Sequence, residues 1–424
     1  MRTRNVLTIL DIEEARRLLA GLVDHTELYR SECFSQAAGC EVYFKTENRQ
    51  RTGSFKVRGA YVALTSLSAE QQARGVIAAS AGNHAQGVAL AASTMGVPAT
   101  IVMPVGASLT KVLATKRYGA RVILHGDCYD DACDQAVELQ EREGLTFIHP
   151  FDNWQVMAGQ GTIGLEILED LPDVDVVVVP VGGGGLVAGI ATAIKGLSPH
   201  VKVIGVQAAG ADSFVRSFKA GEMQVRPRAS TIADGIAVGK PGELTFGIVR
   251  ELVDDMVGVA DGDISHAIVQ MLEREKLLVE GAGAVGLAAL LTGKVECLGK
   301  KVAVVLSGGN IDINLLARTI EYGLTAAGRY IVLRVRLTDR PGELFRLLEP
   351  LTKMRANILD VQHFRAGWQV PVGQAEVQLT LETQDQQHGE EIVVHLCSLG
   401  HEVWQARTPR ELREGSGTRA VEEA

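Results

Sequence analysis

Lys56 stands in the run Thr52-Gly53-Ser54-Phe55-Lys56-Val57-Arg58-Gly59, and Gly182, Gly183, Gly184 and Gly185 stand in a row. An amine and a glycine run are the two parts needed to hold an aldehyde cofactor that bears a phosphate. The amine forms a Schiff base with the aldehyde. The glycines let backbone N–H groups close on the phosphate with no side chain in the way. Pyridoxal 5'-phosphate fits this pair. Neither part is specific alone: a lysine near an arginine and a glycine is usually surface, and a glycine run is often a turn.

The surroundings of the glycines narrow the reading. Val174 to Val181 is a β-branched apolar run and reads as a fully buried strand. Leu186 to Ile194 follows and reads as a buried helix. The glycines therefore lie between a strand end and a helix start, where free N–H groups and the positive end of the helix dipole meet an anion. The pattern is neither GxGxxG nor a P-loop, so a dinucleotide or ATP site fits poorly. A second joint of the same kind runs from strand Gly75–Ala79 through Ser80-Ala81-Gly82-Asn83-His84-Ala85-Gln86-Gly87 to a helix expected over Val88–Met95. It is rich in small residues and donors and suits a carboxylate. A third strand, Lys301 to Leu306, ends in Ser307-Gly308-Gly309-Asn310. Ser307 could there meet a ring nitrogen, because open α/β sheets bind ligands at the C-terminal ends of their strands.

These joints need a scaffold of alternating strands and helices. Thr100–Pro104, Arg121–Leu124 and Lys202–Val206 read as further strands, and Ser108–Tyr118 and Tyr129–Glu143 as helices. The rhythm predicts α/β architecture with parallel sheets covered on both faces.

In this order and spacing, Thr52 to Gly59, Ser80 to Gly87, Gly182 to Leu186 and Ser307 to Asn310 resemble the fold-type II pyridoxal-phosphate enzymes. Among these they resemble the threonine/serine dehydratases, also called threonine ammonia-lyases. Lys45-Thr46-Glu47-Asn48 and Ala233-Asp234-Gly235-Ile236-Ala237-Val238 fit the same family. The resemblance spans about residues 5 to 325. It implies a two-lobed parallel-sheet fold like the tryptophan synthase β chain, with a catalytic domain over 1–328 and a smaller, mobile lobe over about 51–150. By the same resemblance Lys56 carries the cofactor and takes the Cα proton, and Phe55 packs beside the ring. Asn83 contacts the 3'-oxygen, Ser307 bonds the pyridine nitrogen, and Gly182 to Gly185 with Leu186 hold the phosphate. Ser80, Ala81, Gly82, Asn83 and His84 grip the substrate carboxylate.

Nearby cationic character and partial desolvation are expected to lower the Lys56 pKa. His84 is read as a catalytic acid or as an orienting residue, the second being favoured. Glu280 is read equally as a helix-start residue and as a neighbour of the cofactor. Two departures narrow the choice. Racemases of this fold place a serine directly after the first loop serine, where this chain has Ala81. Many relatives bind a divalent cation through Glu and Asp, where this chain has Gln207 and Ser213. No tightly bound metal is expected.

After about residue 328 the pattern changes. Strands are expected at Tyr330–Leu337, Asn357–Arg365, Ala375–Leu381 and His401–Ala406, with helices at Pro341–Met354 and Asp385–Leu399. This βαββαβ order is a split ferredoxin-like arrangement. Arg340-Pro341-Gly342-Glu343-Leu344 followed by Asn357 and Ile358 resembles an ACT regulatory domain over 329–407. That resemblance implies an amino-acid effector; the other reading is a dimerisation module with no ligand. The charged tail 408–424 is expected to be disordered.

Bulk properties agree. The 424-residue chain has a net charge of −9 and no basic block, which argues against nucleic acid. No apolar stretch approaches ~20 uncharged residues, so no membrane span is expected. The N-terminus lacks a signal-peptide core. The six cysteines form no zinc spacing and read as free thiols in a reducing cytoplasm. A homo-oligomer, dimer or tetramer, is expected. The leading reading is deamination of L-threonine to 2-oxobutanoate and ammonia, in isoleucine biosynthesis or threonine catabolism, under allosteric control. Dehydration of L-serine or hydroxyaspartate is the alternative. A non-catalytic amino-acid sensor is the reading from a different class.

Overall fold

The apolar runs fold as buried parallel strands. Val176–Pro180 is buried at every position. Val177 and Val179 point into one core, and Val176 and Val178 into another on the opposite face. Such two-sided burial is why the run is continuously apolar rather than alternating. The computed structural model describes residues 6–365, 370–406 and 418–419. By contacts the chain divides into Met1–Leu316 and Ala317–Ala424. The division falls within the helix Ile313–Ala326, ahead of the change of pattern that the sequence marks at 328.

The first unit holds two sheets. The larger has the order Leu28–Ser31, Glu41–Lys45, Lys301–Val305, Val176–Pro180, Lys202–Ala208, Asp255–Val259. All its pairs are parallel except the first. That antiparallel edge departs from the all-parallel expectation. Only the short helix Glu32–Ala38 joins the two strands, too little chain for a parallel crossover. The smaller sheet, Arg121–Leu124, Ala99–Met103, Val76–Ala79, Thr146–Phe147, is parallel throughout.

Three helices of this unit pack through glycine. A Cβ on Gly159, in the helix Trp154–Asp170, would lie 2.7 Å from the Gly59 Cα of helix Lys56–Thr65. A Cβ on Gly161 would lie 2.8 Å from the carbonyl oxygen of Gly189 in helix Gly185–Leu197. Backbones approach this closely only where side chains are absent.

In the second unit the sheet order is Asn357–Phe364, Gln374–Glu382, Tyr330–Thr338, Glu402–Ala406, Thr418–Arg419, all antiparallel. Alternate residues Ile331, Leu333, Val335 and Leu337 enter a core with Leu347, Leu351, Ile392 and Leu396 of the helices Glu343–Lys353 and Gln386–Ser398. The strand–helix–strand–strand–helix–strand order follows the expected split arrangement. The tail over 408–424 lies outside the described residues, apart from Thr418–Arg419, which pairs with Glu402–Ala406.

Candidate active site

Each sequence-marked joint follows the C-terminal end of a parallel strand, where open α/β sheets expose backbone donors. Phe55 is the residue before the helix Lys56–Thr65, so Lys56 opens that helix. The backbone N–H of Phe55 donates to the Ser307 carbonyl at 3.2 Å, joining the Lys56 loop to the end of strand Lys301–Val305. Lys56 Nζ donates to the Pro150 carbonyl at 2.9 Å and lies 5.2 Å from the centre of the Phe55 ring. Burial lowers its pKa to about 8, and the nearby Glu280 opposes that shift. The expected neighbouring cation does not contribute to the lowering. Arg58 points elsewhere, onto Glu47 and Glu166, and its charge is spent there.

Gly185 and Leu186 already belong to the helix Gly185–Leu197, and Gly184 takes the left-handed conformation at φ 95° that glycine tolerates. Among the described residues, no acceptor takes the N–H groups of Gly183, Gly184, Gly185 or Leu186. Four unclaimed donors at a helix N-terminus suit a phosphate. Phe151 closes one side: a Cβ on Gly185 would lie 2.9 Å from the Phe151 Cα. Thr245 Oγ1 donates to the Gly183 carbonyl at 2.7 Å and fixes the loop.

The Ser80 loop differs from its expected form. Its helix begins at Asn83, not Val88, so Asn83 and His84 sit in the first helical turn. The small residues expected to make a loop also fit a buried helix, and Gly82 before it supplies the turn. The N–H groups of Ala81, Asn83 and His84 have no acceptor among the described residues. His84 Nε2 donates to the Ile148 carbonyl at 2.8 Å. Burial, with Lys56 near, lowers its pKa to about 3, so the ring is neutral with its one N–H committed.

Asn83 is held from both ends of its amide. Nδ2 donates to Glu280 Oε1 at 2.6 Å, and Oδ1 accepts from Asn310 Nδ2 at 2.8 Å. Asn310 Nδ2 also donates to the Thr52 carbonyl at 2.7 Å. Glu280 is buried, and burial with the nearby Asp234 raises its pKa to about 7. Its N–H donates to the Gly308 carbonyl at 3.0 Å. Glu280 therefore precedes its helix and also bonds the Asn83 amide.

The structure thus gathers Phe55, Lys56, Asn83, Glu280 and Ser307 around one set of strand ends. It also adds residues the sequence reading left out. The Ser54 hydroxyl is fully buried, and its oxygen has no partner among the described residues. A buried hydroxyl without a partner marks a place for a ligand atom. With the free donors of the glycine loop, it makes the residues fit a phosphate-bearing cofactor. Lys111 Nζ meets Asp234 at 2.6 Å and Ser108 Oγ meets Asp312 at 2.7 Å, each tying the smaller sheet's loops to the larger sheet's. Gln207 Oε1 accepts from the N–H groups of Phe214 and Val215, both at 2.9 Å, and Ser213 Oγ donates to the Val238 carbonyl at 2.8 Å.

A family described as pyridoxal-phosphate dependent enzymes matches residues 19–308. The chain belongs to that family. Its cofactor is pyridoxal 5'-phosphate. The chain is 52% identical to the L-threonine ammonia-lyase of Thermotoga maritima over 398 residues, 94% of this chain and 99% of that protein. Among solved structures it resembles the processed form of threonine deaminase isoform 2 from Solanum lycopersicum, with a TM-score of 0.70, 40% identity and cover of 74% of this chain and 86% of that one. It also resembles maize serine racemase, with a TM-score of 0.71, 37% identity and cover of 76% and 98%. This member of the family is a lyase, and the matched residues lie within the two-sheet unit. Among its described residues no helix is long and apolar enough to cross a membrane.

The five residues marked for regulation are not gathered in one chain. Arg340, Pro341 and Gly342 form the turn after Thr338, where Gly342 has φ 92°. Asn357 begins a strand and lies opposite Glu382, level with Tyr330. Tyr330 and Thr338 are the two ends of one strand, so the halves stand about 25 Å apart at 3.3 Å per residue.

Proposed function

We propose that this enzyme deaminates L-threonine to 2-oxobutanoate and ammonia. The observation that carries the reading is the 52% identity to an L-threonine ammonia-lyase across 94% of the chain, both units included. When bound, pyridoxal phosphate supplies the electron sink that makes the substrate Cα–H bond acidic. The chain supplies the rest. Lys56, with its pKa lowered to about 8 by burial, offers a sizeable neutral fraction near neutral pH to take the Cα proton. The unclaimed N–H groups of Ala81, Asn83 and His84 bind the substrate carboxylate, and those of Gly183 to Leu186 the phosphate. Asn83, fixed by Glu280 and Asn310, serves the ring oxygen, and Ser307 the ring nitrogen. Ala81 has no group that moves a proton, which supports elimination over the racemisation named for the maize neighbour.

The second unit is read as an ACT-like regulatory module with isoleucine as effector and valine as an opposing ligand. Because Arg340–Gly342 and Asn357–Ile358 stand at opposite ends of one sheet, a single ligand can touch both only across two copies placed head to tail. The reading therefore includes a homo-oligomer. All six thiols are free, which supports the cytoplasm as its compartment.

A steady-state comparison of threonine, serine and 3-hydroxyaspartate, with and without isoleucine and valine, tests the substrate and the effectors. Threonine is expected to give the highest kcat/KM. One methyl group is worth only ~1–3 kcal/mol in a pocket, so the margin over serine is expected to be ~10–200-fold. A higher kcat/KM for serine or hydroxyaspartate would replace the proposed substrate.

A further inference from the structure

Behind Lys56, on the side away from the cofactor loops, four charged side chains are buried together. Lys45, Glu47 and Arg58 have no exposed surface, and Glu166 has 7%. Arg58 makes two forks. Nε and Nη2 donate to Glu47 Oε2 and Oε1 at 2.9 and 2.8 Å. Nη1 and Nη2 donate to Glu166 Oε1 and Oε2 at 2.6 and 3.0 Å. The same guanidinium reaches Thr162 Oγ1 at 3.2 Å and the Asp24 carbonyl at 3.1 Å. Lys45 Nζ completes the cluster on Glu166 Oε2 at 2.7 Å and the Thr26 carbonyl at 2.6 Å.

Such a cluster is a poor way to gain stability, because desolvating the charges offsets most of their attraction. Its value lies in geometry. Successive helical residues are turned by about 100°, so Arg58 points to nearly the opposite side of the helix from Lys56. The contacts agree: Lys56 reaches Pro150, and Arg58 reaches Glu47 and Glu166. The neighbouring contact of Gly59 with Gly159 sets how closely the helices approach, but smooth glycine surfaces offer no ridge against rotation. Gln160 Oε1 adds one bond, from the Gly59 N–H at 3.2 Å. Two planar forks resist rotation far better than one bond.

We propose that Arg58 is a positioning residue for Lys56: its double fork sets the rotation of the helix Lys56–Thr65 and so the place of the Lys56 amine. The inference rests on the reading of Lys56 as the amine that carries the cofactor. An extended lysine tip lies roughly 8 Å from its helix axis, so a turn of about 7° moves the amine by about 1 Å. A misplacement of that size lowers turnover by up to ~100-fold.

The test uses the holoenzyme. Arg58→Lys keeps the charge but replaces the fork by a point donor. It is expected to lower kcat per bound cofactor by ~10–100-fold while KM changes less than ~3-fold. The pH at which the visible band of the lysine-bound cofactor changes is expected to move as well. Thr162→Val removes one arm of the network in a nearly isosteric change. It is expected to lower kcat a few-fold and move the band in the same direction, and it decides the matter if Arg58→Lys does not fold. Wild-type kcat per bound cofactor and an unmoved band in the folded variants would overturn the inference, even with a lowered melting temperature. The parent reading is separable, because it fails on a different variant: Lys56→Ala that retains the band or near-wild-type turnover.

Discussion

Beside the glycine loop of the first unit, buried titratable side chains meet past the ends of strands, whereas in the second unit Arg334, Arg336, Glu376 and Glu402 line one face of a sheet. Near the glycine loop, Lys56 and Glu280 carry pKa values pushed to about 8 and about 7. In the second unit, Arg336 lies over the Trp404 ring at 4.7 Å and meets Glu402 at 3.2 Å, while Arg334 faces Glu376 at 3.8 Å. An antiparallel sheet with helices on one side must send every second residue outward, so charge there follows from alternation. A parallel sheet covered on both faces leaves no such places. A titratable group buried in it is held by specific partners, and groups held in that way cluster where chemistry occurs.

The largest effect that would break this contrast comes from Lys56→Ala. Turnover and the visible cofactor band are expected to vanish, while circular dichroism and the response of the second unit to ligands persist. Near-wild-type release of 2-oxo acid would refute the site. Deleting residues 329–424 is the converse. The shortened enzyme is expected to keep its cofactor and its threonine kcat but lose a response to isoleucine of ~5–150-fold. Inhibition with unchanged half-saturation would place the effector site in the catalytic unit instead.

A smaller effect sharpens the contrast by pH. Glu280 titrates at about 7 when folded, against about 4.3 in an unfolded chain. Between those values the folded protein holds a proton that the unfolded chain has released, so this group makes stability fall as pH rises. Above 7 the full penalty is present. Glu280→Gln is expected to match the wild type below pH ~4.3 and to exceed it by ~3–4 kcal/mol above pH 7. Denaturant melts of the apoprotein across that range would show it, and a gap independent of pH would contradict it. The smallest expected effect is none. Gln207 already gives its oxygen to two backbone N–H groups, so dialysis against EDTA should leave activity and melting temperature unchanged. A loss restored by Mg2+ would refute this.

The sequence made the strand–loop–helix joints legible because each needs a particular local chemistry: β-branched runs, then small residues, then an apolar helix. It placed the Ser80 loop, Gly182 to Gly185 and Ser307 just past the ends of strands, where the structure has them. It misjudged the helix start at Asn83, since small residues suit a loop and a buried helix equally. The Arg58 network was beyond its reach. Glu47 and Glu166 are far apart in sequence, and only the packing of helix Trp154–Asp170 brings them to one guanidinium. Ser54 lay in plain view within the Lys56 run, but a missing hydrogen-bond partner is a property of the fold alone. The antiparallel edge could have been found from the short link between Ser31 and Glu41.

The glycine contacts of helix Trp154–Asp170 bear on how the site responds to heat. This one helix touches the helix that begins with Lys56 and the helix that begins at the glycine loop, in both cases backbone against backbone. Side-chain packing loosens on warming as rotamers begin to exchange. A contact made of backbone has no rotamers to exchange. The span from the amine to the phosphate donors is therefore gauged by parts with little thermal play, and warming should soften the surrounding core before it alters that distance.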